Sequence, residues 1–294
     1  MYLIAGVTGN TGSVVAAELL SKGEKVRVYV RDPSKGESWK AHGAEVALGS
    51  LDDADALAKA LVGVQGAYLL IPPDLKAADT LDRAAKIVTA LKTALEQQPV
   101  AHVVYLSSIA AQLPQGTGPV LTHHHGERVL RTQPSPVTFV RAGYFMANLL
   151  AFTTPLTTAG VLPALFDADR SMVMVATHDI GRVAAETLRS PAPTQHQVIE
   201  LSGPAEYTLR DAARAFARAL GREVSMVPIP GDAVPSTLQQ AGVGADMARL
   251  YGEMMAGIDS GAFQFEGGSA RAVRGTITLE AFVEAAFAPA ASNR

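Results

Sequence analysis

The chain has 294 residues, of which 48 % are hydrophobic and 18 % charged, enough for one large α/β unit or two lobes with a sizeable core. A formal net charge of -3 and a pI near 6.2 give no reason to expect nucleic acid or an anionic membrane as partner. The chain contains no cysteine, which excludes disulfides, thiolate nucleophiles and Cys-ligated zinc and suits a cytoplasmic protein.

The opening "MYLIAGVTG" is apolar at once and reads as a first strand rather than a signal peptide. Gly12 to Lys22 follows as a helix closed by Gly23. "KVRVYV" and "AEVAL" are the second and third strands, and Asp52 to Leu61 is a helix. "GAYLLI" is the fourth strand, stopped by Pro72 and Pro73. Asp79 to Gln97 carries Leu81, Ala84, Ala85, Val88 and Leu91 at helical spacing. "HVVYLSS", a helix from His123 to Arg131, and "VTFVR" complete the series. Strict alternation of strand and helix predicts a doubly wound parallel sheet.

The pattern loosens after about residue 150. Ala142 to Phe166 carries no charge and is long enough to cross a bilayer, but its Thr, Asn, Pro and Gly residues favour a buried helix and loop. Asp179 in "VATHDIGRVAAETL" is an N-cap candidate, and "VIELSG" reads as a late strand. "YTLRDAARAFARALG" is a helix capped by Thr208 and stopped by Gly221. Residues 230–275, rich in Gly and Met, have no legible path, although "MARLYGEMMAG" suggests a lobe helix. "TITLEAFVEAAF" is a closing helix, and "APAASNR" a frayed tail. The expected division is a nucleotide-binding domain at 1–150 and a smaller substrate lobe at 151–294, with some elements of the latter returning to the sheet.

"GVTGNTG", residues 6–12, lies directly between a strand and a helix. Gly6 and Gly9 permit a tight turn and a close approach by a pyrophosphate, and Gly12 lets the helix pack on the strand. Amides at the helix start, near Asn10, Thr11 and Gly12, then point at the phosphates with the helix dipole behind them, and Thr8 in the same turn joins the cofactor-binding set. At the end of the second strand, where an acidic residue would hold a ribose 2′-hydroxyl, stands Arg31, with Lys35 close by. Arginine suits a 2′-phosphate, so NADP(H) is preferred over NAD(H), although Asp32 could turn toward the ribose instead.

At this point the segments "VTGNTGS", "VRVYVRDPSK", "GAEVALGSLDD", "LAKALVGVQGAYLL", "VVYLSS" and "VTFVRAGYFMANLL" resemble the NmrA-like group of atypical short-chain dehydrogenases, in order and spacing, from residue 1 to about 205. The resemblance implies a Rossmann-type sheet with a small C-terminal substrate lobe. Members include NAD(P)H-dependent quinone reductases, azoreductases, relatives of isoflavone reductases and non-catalytic redox sensors. It further implies that Gly143, Tyr144 and Phe145 run beside the nicotinamide, that Ile71 and Pro72 line the cofactor, and that Leu51 lies near the adenine. Ser50 replaces the family's usual Asp. The family pattern places a His four residues before a Glu, as His123 and Glu127 stand here, and some relatives have a cofactor-contacting Lys where this chain has His125.

The usual Tyr and Lys pair, four residues apart, is missing after all seven tyrosines, and no Lys follows Lys92. Proton transfer to an alcohol or ketone has lost both usual agents. A quinone or similar conjugated, aromatic acceptor needs position more than a strong acid, so hydride transfer from NADPH to such a small molecule is the expected activity. The alternative is a redox sensor that binds NADP(H) and acts on a protein partner. A homodimer is the assembly considered, without nucleic acid or membrane. The candidates for chemistry are His123, His125 and Tyr144, and Ser107 joins the cofactor-binding set, with loop capping as its other reading. His123, His124 and His125 cannot converge on one ion, since consecutive helical residues point about 100° apart, and no metal site is expected. A hydrogen bond between His123 and Glu127, on one helical face, is one reading, and a His beside the nicotinamide is the other.

Overall fold

The computed structural model describes residues 1–288. The first half runs β1 (Tyr2–Ala5), α1 (Gly12–Ser21), β2 (Val26–Val30), α2 (Glu37–Ala41), β3 (Glu45–Leu48), α3 (Ala54–Leu61), β4 (Gly66–Leu69), α4 (Thr80–Gln97), β5 (His102–Ser108), α5 (Leu121–Leu130) and β6 (Val137–Ala142). The second half runs β7 (Tyr144–Phe145), α6 (Thr153–Ala159), β8 (Val161–Ala164), β9 (Met172–Val175), α7 (Thr177–Arg189), β10 (Gln197–Ser202), β11 (Glu206–Tyr207), α8 (Leu209–Leu220) and β12 (Ser225–Pro228). It ends with α9 (Val234–Gln240), α10 (Ala245–Asp259), β13 (Arg271–Arg274) and α11 (Leu279–Phe287). The expected tail lies outside the described residues from 289 onward.

The main sheet is eight-stranded and parallel throughout, in the order β13-β10-β6-β5-β4-β1-β2-β3. Strand alternation divides its side chains between two apolar layers. Ile4, Val28, Tyr68, Val104 and Val140 pack with α1 and α7. Leu3, Ala67, Leu69, Val103 and Phe139 pack with α3, α4 and α5. Burial on both faces explains why β1, β4 and β5 read as continuous apolar runs rather than alternating ones. The strand order reverses between β1 and β4, leaving the open crevice of a Rossmann-type fold at that point.

The later segments form the lobe. Met146, Phe166, Met174, Phe216, Met254, Met255 and Phe263 share one apolar cluster. The stretch 230–275, illegible in the sequence, is α9, α10 and the edge strand β13. Uncharged Ala142 to Phe166 breaks into β7, a 3₁₀ turn, α6 and β8, and among the described residues no helix is long and apolar enough to cross a membrane. Thr208 caps α8 through a reciprocal box with Asp211, and Gly221 ends it at φ 62°.

The Asp179 expectation needs correction. Asp179 is the third residue of α7, behind Ala176 as N-cap. Its fully buried carboxylate instead accepts the amides of Thr276 and Ile277, both at 2.9 Å, and so holds the segment that joins β13 to α11. The lobe also grips the loop after β4: the Gly244 amide donates to the Leu75 carbonyl at 2.7 Å, and the Thr80 amide to Asp246 at 2.9 Å.

Candidate functional site

The glycine-rich turn sits where β1 enters α1, at the mouth of the crevice. Gly6 takes φ +69°, and the Gly9 amide closes the turn on the Gly6 carbonyl at 2.9 Å. A Cβ at Gly12 would stand 2.5 Å from the carbonyl oxygens of Ala5 and Gly6, so the helix start lies directly on the strand end. Thr8, Gly9 and Asn10 are exposed. Among the described residues no backbone acceptor is found for the amides of Asn10, Thr11 and Gly12. They are the orphan donors of a helix start, backed by its dipole. The Thr11 side chain is turned inward, where its hydroxyl accepts from Tyr68 at 2.9 Å in a buried contact, so only its amide is left for a ligand.

At the end of β2, Arg31 and Lys35 are exposed and make no ion pair among the described residues. Asp32 accepts the Ser34 amide at 2.9 Å and caps the turn at Pro33–Lys35, and the Ser34 hydroxyl, then that amide, draw its pKa down. Its carboxylate is thus engaged locally while both cations are free. Leu51 and Ile71 are half-buried against the core, and the Pro72 carbonyl accepts from Arg83 at 2.9 Å. Gly143 is required by close packing: a Cβ there would lie 2.6 Å from the Val173 carbonyl oxygen.

Ser107 is only 2 % exposed, and its hydroxyl donates to Glu127 at 2.6 Å. The expected hydrogen bond from His123 to Glu127 is absent. The Glu127 carboxylate is taken by Arg141, which donates Nε and Nη2 at 2.8 Å each, and by Arg131 at 3.2 Å. Desolvation works against the charge on Glu127, but the Arg141 pair outweighs it and holds the carboxyl below its ordinary value of 4.5. Arg141 reaches on to Glu266 at 2.6 Å. The signal for this pair was present: an arginine in the apolar run "VTFVRA" is a buried charge that must find a partner.

His123 points under α5 toward Tyr105, with ring centroids 6.2 Å apart. His123 Nδ1 and the Tyr105 hydroxyl are both shielded from solvent and without partners. Burial pulls His123 down to about 4, so it is neutral at pH 7. His124 Nδ1 bonds the Ala111 carbonyl at 2.9 Å. His125 is half-buried and also drawn down, first by burial and then by Arg128 and His124. Tyr144 packs edge-on against Phe166 in the lobe, and burial pushes its phenol well above its ordinary value. Neither Tyr144 nor His123 holds a proton that is mobile near neutrality.

The chain resembles several proteins over most of its length. It is 30 % identical to a (4-alkanoyl-5-oxo-2,5-dihydrofuran-3-yl)methyl phosphate reductase of Streptomyces griseus, covering 81 % of this chain and 80 % of that one. It is 29 % identical to an NAD(P)H azoreductase of Xenophilus azovorans, covering 87 % and 86 %. In three dimensions it matches the NADPH-dependent quinone oxidoreductase QOR2 of Escherichia coli, solved with NADPH, at a TM-score of 0.79 and 22 % identity over 98 % of this chain and all of the other. The model of the NmrA-like family matches residues 2–281, and the chain belongs to that family.

Proposed function

We propose that the protein is an NADPH-dependent oxidoreductase that passes hydride to a quinone or similarly conjugated acceptor. The observation that carries this reading is the Gly6–Gly12 turn at the strand-order switch, with Arg31 and Lys35 uncommitted at the end of β2. In the proposed arrangement the amides of Asn10, Thr11 and Gly12 hold the pyrophosphate, and Arg31 and Lys35 hold a 2′-phosphate. Leu51 lies by the adenine, Ile71 and Pro72 flank the middle of the cofactor, and Gly143, Tyr144 and Phe145 border the nicotinamide. The cofactor supplies the hydride. The protein supplies position and a dry, apolar lobe face, which suits a flat acceptor. The names of the reductase relatives support a nicotinamide cofactor and a small-molecule substrate.

What the site withholds supports this acceptor class. With Tyr144 pushed high, His123 held neutral and no Lys beyond Lys92, no strong general acid is at hand. A quinone takes hydride and completes protonation from solvent, whereas a ketone would leave an unprotonated alkoxide. The same lack of a proton donor favours one second reading, a sensor that binds NADP(H) without turnover. NADPH consumption across a panel of quinones and azo dyes separates them: turnover supports the enzyme, and tight binding without turnover on any acceptor supports the sensor.

Two variants test the residue roles. Arg31→Ala should weaken NADPH by about tenfold or more and NADH hardly at all, the scale of one charge-assisted contact. Equal losses in the two titrations would remove Arg31 from the site. His123→Ala should lower thermal stability but keep the quinone-reduction rate within about twofold, because a general acid would contribute about 100-fold or more. A loss of that larger size would restore His123 as the proton source. His125→Ala in the same assay shows whether the neighbouring imidazole contributes.

A further inference from the structure

A cavity of about 760 Å³ lies beside α5, and no residue of the glycine-rich turn or of the β2 and β4 ends lines it. One wall is the α5 face that carries His124, Arg128 and Arg131, four and three residues apart. Arg128 is exposed and makes no ion pair among the described residues. The opposite wall is the loop 266–270, whose Gly267 and Gly268 are both left-handed at φ +71° and +67°. This loop already binds a carboxylate: the amides of Glu266 and Gly267 donate to buried Glu200 at 2.8 and 3.0 Å.

The inner end of the cavity is Arg141, 3 % exposed, with two donors on Glu127 and the third on Glu266. The two carboxylates on Arg141 are not equivalent. Glu127 is 5 % exposed and locked on three sides, while the Glu266 side chain is 57 % exposed and hangs from a double-glycine loop. The Glu266 side chain regains its hydration outside, so it can give way once a ligand carboxylate takes its place on Arg141, an exchange that leaves no buried charge unpaired. Beside it, Gln112 Oε1 is buried without a partner, an acceptor suited to a ligand hydroxyl.

We infer that this cavity binds a small hydroxycarboxylate, whose carboxylate replaces that of Glu266 on Arg141 while Arg128 neutralises a second one. Glu266 is the internal occupant of the site and competes with the ligand.

The test is calorimetric titration of the full chain with citrate at low ionic strength, with NADPH present at saturation. Arg128→Ala should weaken citrate by about tenfold, one charge-assisted contact. Glu266→Gln should tighten it by about threefold or more, because the competing charge is gone. Both exposed substitutions should leave NADPH affinity unchanged. No binding of citrate, an unchanged citrate affinity in Arg128→Ala, or weaker binding in Glu266→Gln would each overturn the assignment. Inorganic phosphate binding as tightly as citrate would overturn the ligand class.

Discussion

Replacing Gly12 by alanine should reduce NADPH affinity by about 100-fold or more, equivalent to about 2.7 kcal/mol. The new Cβ would lie 2.5 Å from two backbone carbonyl oxygens, those of Ala5 and Gly6. Neither is the end of a flexible side chain, so α1 must withdraw from β1. That withdrawal carries the amides of Asn10, Thr11 and Gly12 away from the crevice. Overpacking of this kind costs about 1–3 kcal/mol of stability as well. Gly23→Ala is the control. Gly23 takes φ +75° with no heavy atom within 4 Å of its virtual Cβ, so its substitution strains one backbone position at the end of α1, far from the turn. It should cost about 1 kcal/mol and leave NADPH affinity intact. Fluorescence titration of the cofactor and thermal unfolding of both variants read the two effects apart. Near-equal NADPH affinity in Gly12→Ala and the parent would remove the turn from the binding site.

The second large effect belongs to Glu127. Glu127→Ala leaves Arg141 buried with only the solvent-facing Glu266 for a partner, and strands the Ser107 hydroxyl. Breaking a buried pair from one side costs about 3–5 kcal/mol, measurable by denaturant unfolding. Removing both partners with apolar side chains, Glu127→Leu with Arg141→Met, should cost less than the single change, since no charge is left unpaired. A single variant as stable as the parent would contradict the assigned role.

The acid limb of stability follows from the same residues. Glu127 is held below 4.5, so its contribution is complete above that value and disappears as pH falls through the depressed one. His123 and His102 have folded values of about 4 against an ordinary 6.5. Between those limits the unfolded chain binds more protons than the folded one, so stability should already decline as pH falls from 6.5 toward 4. Glu127→Ala should abolish only the part of the loss that lies below the ordinary glutamate range.

The parallel sheet was legible because its strands are apolar on both faces and separated by helices with clear stops, Gly23 and the prolines after β4 among them. The glycine-rich turn was legible because Gly6 needs a positive φ and Gly12 abuts the carbonyls of Ala5 and Gly6, constraints that a sequence records directly. The sequence was less informative wherever a side chain's partner lies far along the chain. One reading of the sequence pairs Glu127 with His123, four residues away, but a buried carboxylate takes the strongest donor within reach, and Arg141 on β6 offers a bidentate one. Asp179 looks like a helix cap in the sequence because it stands at the apparent start of the helical run "VATHDIGRVAAETL". Its real partners, the amides of Thr276 and Ile277, lie almost a hundred residues on. The lobe was unreadable for a related reason. Its short strands β7, β8, β9, β11 and β12 form small separate sheets of two and three strands, too brief to show a period.

The three consecutive histidines divide by geometry rather than acting together. His123 turns under the helix to Tyr105, His124 ties α5 to the Ala111 carbonyl, and His125 stays half-buried. Gly126 beside them is demanded by Tyr105, whose hydroxyl would lie 2.4 Å from a Cβ at that position.

The most direct measurement is single-turnover oxidation of NADPH bound to the full chain, followed on mixing with a quinone, using NADPH with deuterium at nicotinamide C4. The account predicts that bound NADPH is oxidised as quinol forms, more slowly for the deuterated cofactor. NADPH that binds tightly but is never oxidised by any quinone, or oxidation that proceeds equally in Gly12→Ala, would contradict it.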